Sequence, residues 1–369
     1  MTTKRTASAV FALAWVALCL AASPAAAQWQ IDSKDGKASI KVGFLAQVQG
    51  ELLETSDASS WSKNLFVRRF RVLLGGKVAD KWLFFFETDS PNVGKANPDK
   101  AANPSGAKDA GDVFIQDMFI TYDHSAAFKV DAGMILLPIS RNHQQSAATL
   151  LPIDYGPYSF SESGPVGERV GRDYGLQLRG YPAKQKLEYR VGVFQGLRGA
   201  EAKNPLRVVG RVVFYPFGAD TGFFYAGTWQ GTRKHVAIGG SVDRQSDLRI
   251  YSGDVFVEHP IAGGRAGVTF QAGLTHFDGA QVTAALAEQN TWLVEAGLHL
   301  GQGRWSPFAQ YAVRDFEADH LKDQSIVSGG LAWWLKGHQR AIKASVGRIH
   351  TDGQQDRVQV LVQLQVFYY

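Results

Sequence analysis

The sequence predicts an all-β fold: a 16-stranded antiparallel transmembrane β-barrel with an inward-folded constriction loop. Three observations carry this. Apolar and polar residues alternate at 180° per residue along most of the chain, which is a strand signal. The connections between alternating segments fall into a long class and a short class, as in outer-membrane barrels. Beyond the first 27 residues, apolar residues are never gathered into the run of about 18 that a membrane helix needs. The closing segment RVQVLVQLQVFYY (357–369) shows the alternation most plainly, with Val358, Val360, Val362, Leu364, Val366 and Tyr368 on one face and Arg357, Gln359, Gln363 and Gln365 among the alternate places. So uniform an apolar face needs lipid against it, and lipid offers the backbone no hydrogen bonds. Such a strand persists there only in a closed barrel, the last strand pairing with the first.

Composition agrees. The 369 residues are 45% hydrophobic, 12% aromatic and 20% charged, too apolar for a disordered chain. Residues 1–27 read as a cleaved signal peptide, with Lys4 and Arg5, an apolar run Ala7–Leu20 and the small residues Ala25-Ala26-Ala27 before Gln28. Cleavage removes Cys19, the single cysteine, so the mature chain uses neither disulfides nor thiolate chemistry. It also leaves 37 basic against 34 acidic residues, a net charge of +3 spread along the chain. No basic run marks a nucleic-acid partner.

The barrel occupies 28–369. In its first strand Ile40, Val42, Phe44, Ala46, Val48 and Leu52 alternate with Lys41, Gly43, Gln47, Gln49 and Glu51. In the second, Arg69, Arg71 and Lys77 share a face with Gly75, opposite Phe66, Phe70, Val72, Leu74 and Val78; Arg68 has lipid-face parity and is expected to snorkel to the headgroups. Segment 90–112, rich in Lys, Asn, Asp, Pro and Gly, reads as a solvated outer loop. The 35-residue stretch 138–172 differs, because LLPIDYGPYSF (150–160) is too apolar and aromatic to stand in water. It is expected to fold against the inner wall as the constriction loop and narrow the lumen. Arg141 and Arg172 lie at its two ends. Later strands alternate likewise, and Arg179, Arg190, Arg207 and Arg211 fall on their polar faces.

A plain count gives 17 segments, against the even-number rule. Assigning GFFYAGTWQGTRK (222–234) to an unusual periplasmic connection restores both evenness and the long-short alternation; 18 strands stays open. Trp82, Trp292, Trp305, Trp333 and Trp334 fall near strand ends, and Phe367, Tyr368 and Tyr369 at the terminus, as aromatic girdles require.

Four stretches, in order, resemble the phosphate-selective porin O and P family of outer-membrane channels: FVRRFRVLLGGKVADKW (66–82), MILLPIS (134–140), GRDYGLQLRG (171–180) and YRVGVFQG (189–196). The resemblance implies a 16-stranded barrel in the bacterial outer membrane, a homotrimer, and passive diffusion of small polar or anionic solutes, phosphate-like anions among them. The chain departs from that family in its loop, where Arg141, Arg169 and Arg172 stand with Asp154, Glu162 and Glu168.

The chemistry expected is that of a pore. Inward parity and the loop ends nominate Arg69, Arg71, Lys77, Arg141, Arg172, Arg179, Arg190, Arg207 and Arg211 as pore-lining residues, since rings of cations favour anions. Pairing with Asp89, Asp117, Asp173, Glu188 or Asp254 across neighbouring strands, to stiffen the wall, is the plainer reading for most of them. The nine histidines form no metal-spaced motif, and no nucleophile elbow, phosphate loop or dinucleotide fingerprint occurs. Glu258-His259-Pro260 lies at an expected turn. No catalytic residue, metal or cofactor is assigned. An outer-membrane barrel hydrolase and a structural or surface-binding barrel without an open pore are the alternatives, and open-pore conductance separates the porin from both.

Overall fold

The computed structural model describes residues 29–97 and 108–369. The leader expected at 1–27, and positions 98–107 of the expected outer loop, lie outside the described residues. A short strand β1 (Trp29–Asp32) precedes β2 (Ser39–Glu54), β3 (Trp61–Ala79), β4 (Trp82–Asp89), β5 (Phe114–Ser125) and β6 (Phe128–Leu136). After the constriction loop come β7 (Arg172–Gly180), β8 (Leu187–Phe194) and β9 (Arg207–Phe214). The chain finishes with β10 (His235–Gln245), β11 (Leu248–Ile261), β12 (Ala266–Asp278), β13 (Gln289–His299), β14 (Trp305–Phe316), β15 (Gln324–Lys336), β16 (Arg340–Thr351) and β17 (Arg357–Tyr368).

Each strand from β2 to β17 pairs antiparallel with its sequence neighbours, and β17 closes on β2, with Gln359 opposite Leu53 and Tyr368 opposite Phe44. This makes a 16-stranded barrel with β1 as an extra strand along the start of β2. The closing seam is stitched on its inner face by side-chain amides, Gln47 to Gln365 at 2.8 Å and Gln49 to Gln363 at 2.7 Å. The outer face is apolar: Phe44, Leu52, Phe70, Leu176, Val208, Val212, Val362 and Leu364 are all exposed. The belt and the closed ladder are the two conditions a strand must meet in hydrocarbon. No helix of the described residues is long and apolar enough to cross a membrane; a barrel crosses with strands.

Segment 222–234 is indeed not a strand. It belongs to a connection, 215–234, that joins β9 to β10 at the end of the barrel carrying the short turns. The sequence marked it as unusual but not as inward-folding. Tyr215 and Tyr225 are wholly buried, Phe256 of β11 packs against the segment, and the backbone of Tyr225 exchanges hydrogen bonds with Gln144 and Ser146 of the constriction loop. Two inward segments, one from each end, therefore meet inside the lumen. Their close approach depends on glycine, since a Cβ on Gly227 falls 2.7 Å from the Leu150 Cα; the connection's packing on the wall does too, a Cβ on Gly267 of β12 falling 2.3 Å from the Gly231 Cα.

Three placements differ from expectation. In β3, Gln47 faces Arg69 and Val48 faces Val67, so Arg68 is the extra residue of a β-bulge. A bulge inverts the face of every residue before it, which puts Phe66 inside (4% exposed) and not on lipid. Trp334 also points inward, fully buried, donating to Ser306 Oγ at 2.9 Å; its neighbour Trp333 keeps the outer place and stacks on Trp305. Adjacent strand residues take opposite faces, so only one of the two can join a girdle. Glu258 lies within β11, which runs on past the expected turn to Ile261.

Candidate functional site: the constricted lumen

The constriction loop, residues 137–171, opens with a single helical turn α1 (Arg141–Gln144), capped where Ser140 Oγ accepts from the His143 N–H at 3.2 Å. Its apolar residues Leu137, Ile139, Leu150, Leu151 and Ile153 are buried, since an aliphatic stretch gains by leaving water. Polar wall groups then tie the loop's exposed carbonyls. Lys343 of β16 donates to Leu150 O at 2.5 Å and Pro152 O at 2.9 Å, Gln365 of β17 to Ala148 O at 2.8 Å, and Gln47 of β2 to Ala147 O at 3.2 Å. His143 and Glu162, both wholly buried, meet at 3.0 Å and hold the loop to itself.

The nominated residues sort into three groups. Six arginines are buried against carboxylates of the wall or loop. Arg71 spans Glu87 at 2.6 Å and Asp89 at 2.8 Å; Arg172 meets Asp117 at 3.1 Å; Arg179 meets Asp131 at 2.7 Å; Arg190 meets Glu188 at 2.5 Å; Arg211 takes both oxygens of Asp254 at 2.7 Å. Arg207 is held between Asp243 and Glu168. Asp89, Asp117 and Asp254 thus pair across the wall as expected, while Glu188 pairs with Arg190 along their own strand β8. Asp173 does not, accepting instead from the backbone N–H groups of Tyr174 and Gly196 at 2.7 Å. The second group lies away from the open lumen: Arg141 is buried over the Phe256 ring at 3.8 Å and donates to Ala226 O, while Lys77 is exposed near the short-turn end of β3. Arg69 makes the third group, with a partner the sequence did not suggest.

That partner is Arg68. The bulge turns it inward beside Arg69, and the two guanidinium groups grip one loop carboxylate: Arg68 Nε to Asp154 Oδ2 at 2.7 Å and Arg69 Nη2 to Asp154 Oδ1 at 2.5 Å. Burial alone would raise the Asp154 pKa, but the two arginines outweigh it and hold the carboxyl well below its usual range. Arg68, Arg69 and Asp154 line an open vestibule of about 360 Å³ in the half of the barrel facing the long loops. Lys95 and Glu51, 3.1 Å apart, share it. Three cations against two carboxylates leave one positive charge over. Below the vestibule, Tyr155 of the loop also lines a smaller cavity of about 80 Å³ beside Arg71, Glu87 and Arg172. Its hydroxyl donates to Gln145 O at 2.7 Å, and burial raises its pKa despite Arg71, Arg69 and Arg172 nearby, so the ring at this junction is uncharged at neutral pH.

With this geometry in view, similarity to solved structures is informative. An anion-selective porin from Comamonas acidovorans superposes with a TM-score of 0.60 at 13% identity, covering 90% of this chain and all of that one. The Salmonella typhi OmpF structure, solved with daunomycin, gives 0.58 at 10% identity, covering 91% of this chain and 100% of that one. The outer-membrane channel DcaP of Acinetobacter baumannii gives 0.53 at 10% identity, covering 91% and 99%. The fold is that of the outer-membrane porins. At these identities the likeness establishes architecture, and none of it singles out the phosphate-selective O and P family. No protein-family model and no curated protein sequence matches the chain. Among the described residues no group of three or more His, Cys, Asp or Glu could hold a metal ion.

Proposed function

We propose that this porin-fold chain is a bacterial outer-membrane diffusion channel, passing small polar solutes passively with a modest preference for anions. The observation that carries the reading is the surplus positive charge at the vestibule, a cavity that the inward loop leaves beside β2, β3 and β14 to β17. Charge acts on a permeating ion only where little water intervenes. The six wall-paired arginines are neutralised locally, so they stiffen the barrel and contribute little to selection. A phosphate-specific ladder is not part of the proposal, because each of these arginines is already answered by a carboxylate.

The outer-membrane location follows from the apolar belt, and assembly as a trimer from the resemblance to trimeric porins. Planar-bilayer recording across a potassium chloride gradient tests the channel: a reversal potential on the chloride side is expected, and potassium preference or no conductance overturns it. Fractionation tests the location. Mature protein beginning at Gln28 should sediment with the outer membrane; recovery from the soluble periplasm would overturn that part.

A further inference from the structure

The vestibule has a chemistry that general diffusion does not require. We propose that it is a binding site for small organic monoanions with an apolar body, aromatic or branched carboxylates, with Arg68 as the anchoring residue. The inference rests on the channel reading and specifies its solute class.

Three features of the cavity point to this ligand. Arg68 spends only its Nε on Asp154; its two terminal nitrogens have no protein partner among the described residues, and the side chain lines the open cavity. A guanidinium edge with two free donors is matched to a carboxylate. The net charge of the lining is a single positive unit, because Arg69 and Asp154 offset each other and Lys95 lies against Glu51. One unit balances a monoanion. The rest of the lining is mixed, with Gln49, Asn92, Gln310, Ser328, Ser345 and Gln359 among its polar groups, but it carries apolar faces on opposite sides: Phe66, brought inside by the bulge, with Ile153 and Phe160 of the loop, and Phe308, Ile326 and Leu361 of the facing strands.

Those apolar faces favour a carboxylate with a hydrocarbon body over an inorganic anion. A hydrated phosphate loses water wherever it lies against these apolar faces, and there the loss is costly. A phenyl or branched alkyl group gains by the same transfer. The volume, about 360 Å³, lies within the range of about 300–1,000 Å³ typical of small-molecule sites.

The test is equilibrium binding to the folded barrel in detergent, with benzoate, acetate and inorganic phosphate as probes. Benzoate should bind about tenfold more tightly than acetate, from burial of its ring, and phosphate no more tightly than acetate. Arg68→Gln should weaken benzoate about tenfold, the loss of a charge-assisted contact. Ile326→Asn, on the opposite wall, should erase the benzoate advantage while leaving acetate unchanged, and it supplies the test if Arg68→Gln fails to fold. Phosphate binding ahead of benzoate, or benzoate binding insensitive to both substitutions, overturns the proposal. Single-channel recording keeps the two readings apart. Chloride conductance without benzoate binding sinks this inference alone, and benzoate binding without conductance sinks the channel alone.

Discussion

Asp154→Asn is the most direct perturbation of the vestibule, because it removes one charge and frees two. In the native chain Asp154 neutralises part of the Arg68 and Arg69 pair, and the lining carries one surplus positive charge. The amide raises the surplus to two. For an ion passing roughly 6 Å away through water, one unit charge is worth about 0.7 kcal/mol. The anion gains that amount and the cation loses it, so the permeability ratio moves by about 1.4 kcal/mol, about tenfold. Screening at physiological salt, with a Debye length of about 8 Å, halves the energy and brings the change to about threefold. The assay is the reversal potential in a potassium chloride gradient, repeated at falling ionic strength. A shift toward chloride that grows as salt is lowered is expected. An unchanged potential, or a shift independent of salt, refutes the reasoning, since the latter reports a changed pore dimension.

The pH dependence has a definite sign. Because the folded Asp154 pKa is depressed below its unfolded value of about 3.9, its anchoring of the loop is present above that value and is lost only as pH falls through the lower folded value. The difference in selectivity between native protein and the Asn variant should therefore be the same at pH 7 and at about pH 3.5. A carboxyl with the ordinary pKa of about 3.9 is less than about one third ionised at about pH 3.5, so a difference that shrinks to about that fraction would show that Asp154 titrates normally.

Other substitutions probe the supports of the constriction. Tyr155→Ala should merge the vestibule with the smaller cavity beneath it and raise single-channel conductance; an unchanged conductance would place the permeation path elsewhere. Lys343→Met removes both wall donors to Leu150 and Pro152, at a cost of about 1.5–3 kcal/mol per charged hydrogen bond, and should give a noisier open level as the loop loosens. Arg71→Gln leaves Glu87 and Asp89 buried without their cation, a loss of about 3–5 kcal/mol, and should lower the temperature at which the folded band disappears on unheated-versus-heated gels.

Much of this barrel was legible because period-two alternation is a property of the chain alone. The faces of β2, β7 and β9 follow directly from which residues are apolar, and closure of 357–368 on 39–52 follows from the lack of any other cover for an apolar edge. The charged interior was partly legible for the same reason: parity put Arg71, Arg190 and Arg211 inside, and the loop end did so for Arg172; Asp89 waits on the neighbouring strand, Asp117 and Asp254 on the next one along, and Glu188 on the same strand as Arg190. What parity cannot supply is register. Glu87, Asp131, Asp243 and Glu168 became partners through strand stagger and loop position, neither of which a single sequence encodes locally.

The inward turn of 215–234 carries a signal of its own in the sequence. Phe223, Phe224, Tyr225 and Trp229 are as unsuited to water as residues 150–160, and the same exclusion from water folds both segments inward. Its fastening was less visible. Glu258 accepts from the Trp229 and Gly231 N–H groups and from the Thr228 and Thr269 hydroxyls, so a carboxylate that looked like part of a turn clasps the connection to β11 and β12.

The bulge in β3 was the consequential omission, and deletion of Arg68 tests what it does. In the native pairing Gln47 and Val48 are consecutive on β2 while Arg69 and Val67 are not on β3. Removing Arg68 makes them consecutive. Every other residue of β3 then keeps its face, with Phe66 still inside and Phe70 still toward lipid, because the extra residue alone caused the inversion. The local loss is the Arg68 contact to Asp154 and the carbonyl that accepts from the Asn92 N–H, the latter about 1 kcal/mol. The barrel should fold and resist heat nearly as before. Its vestibule then holds Arg69 and Lys95 against Glu51 and Asp154, a balance of zero, and chloride preference should vanish. A deletion variant that stays anion-preferring would move selection to the buried arginines. One that fails to fold would show instead that the bulge is kept for the curvature of the wall, with the extra guanidinium a by-product.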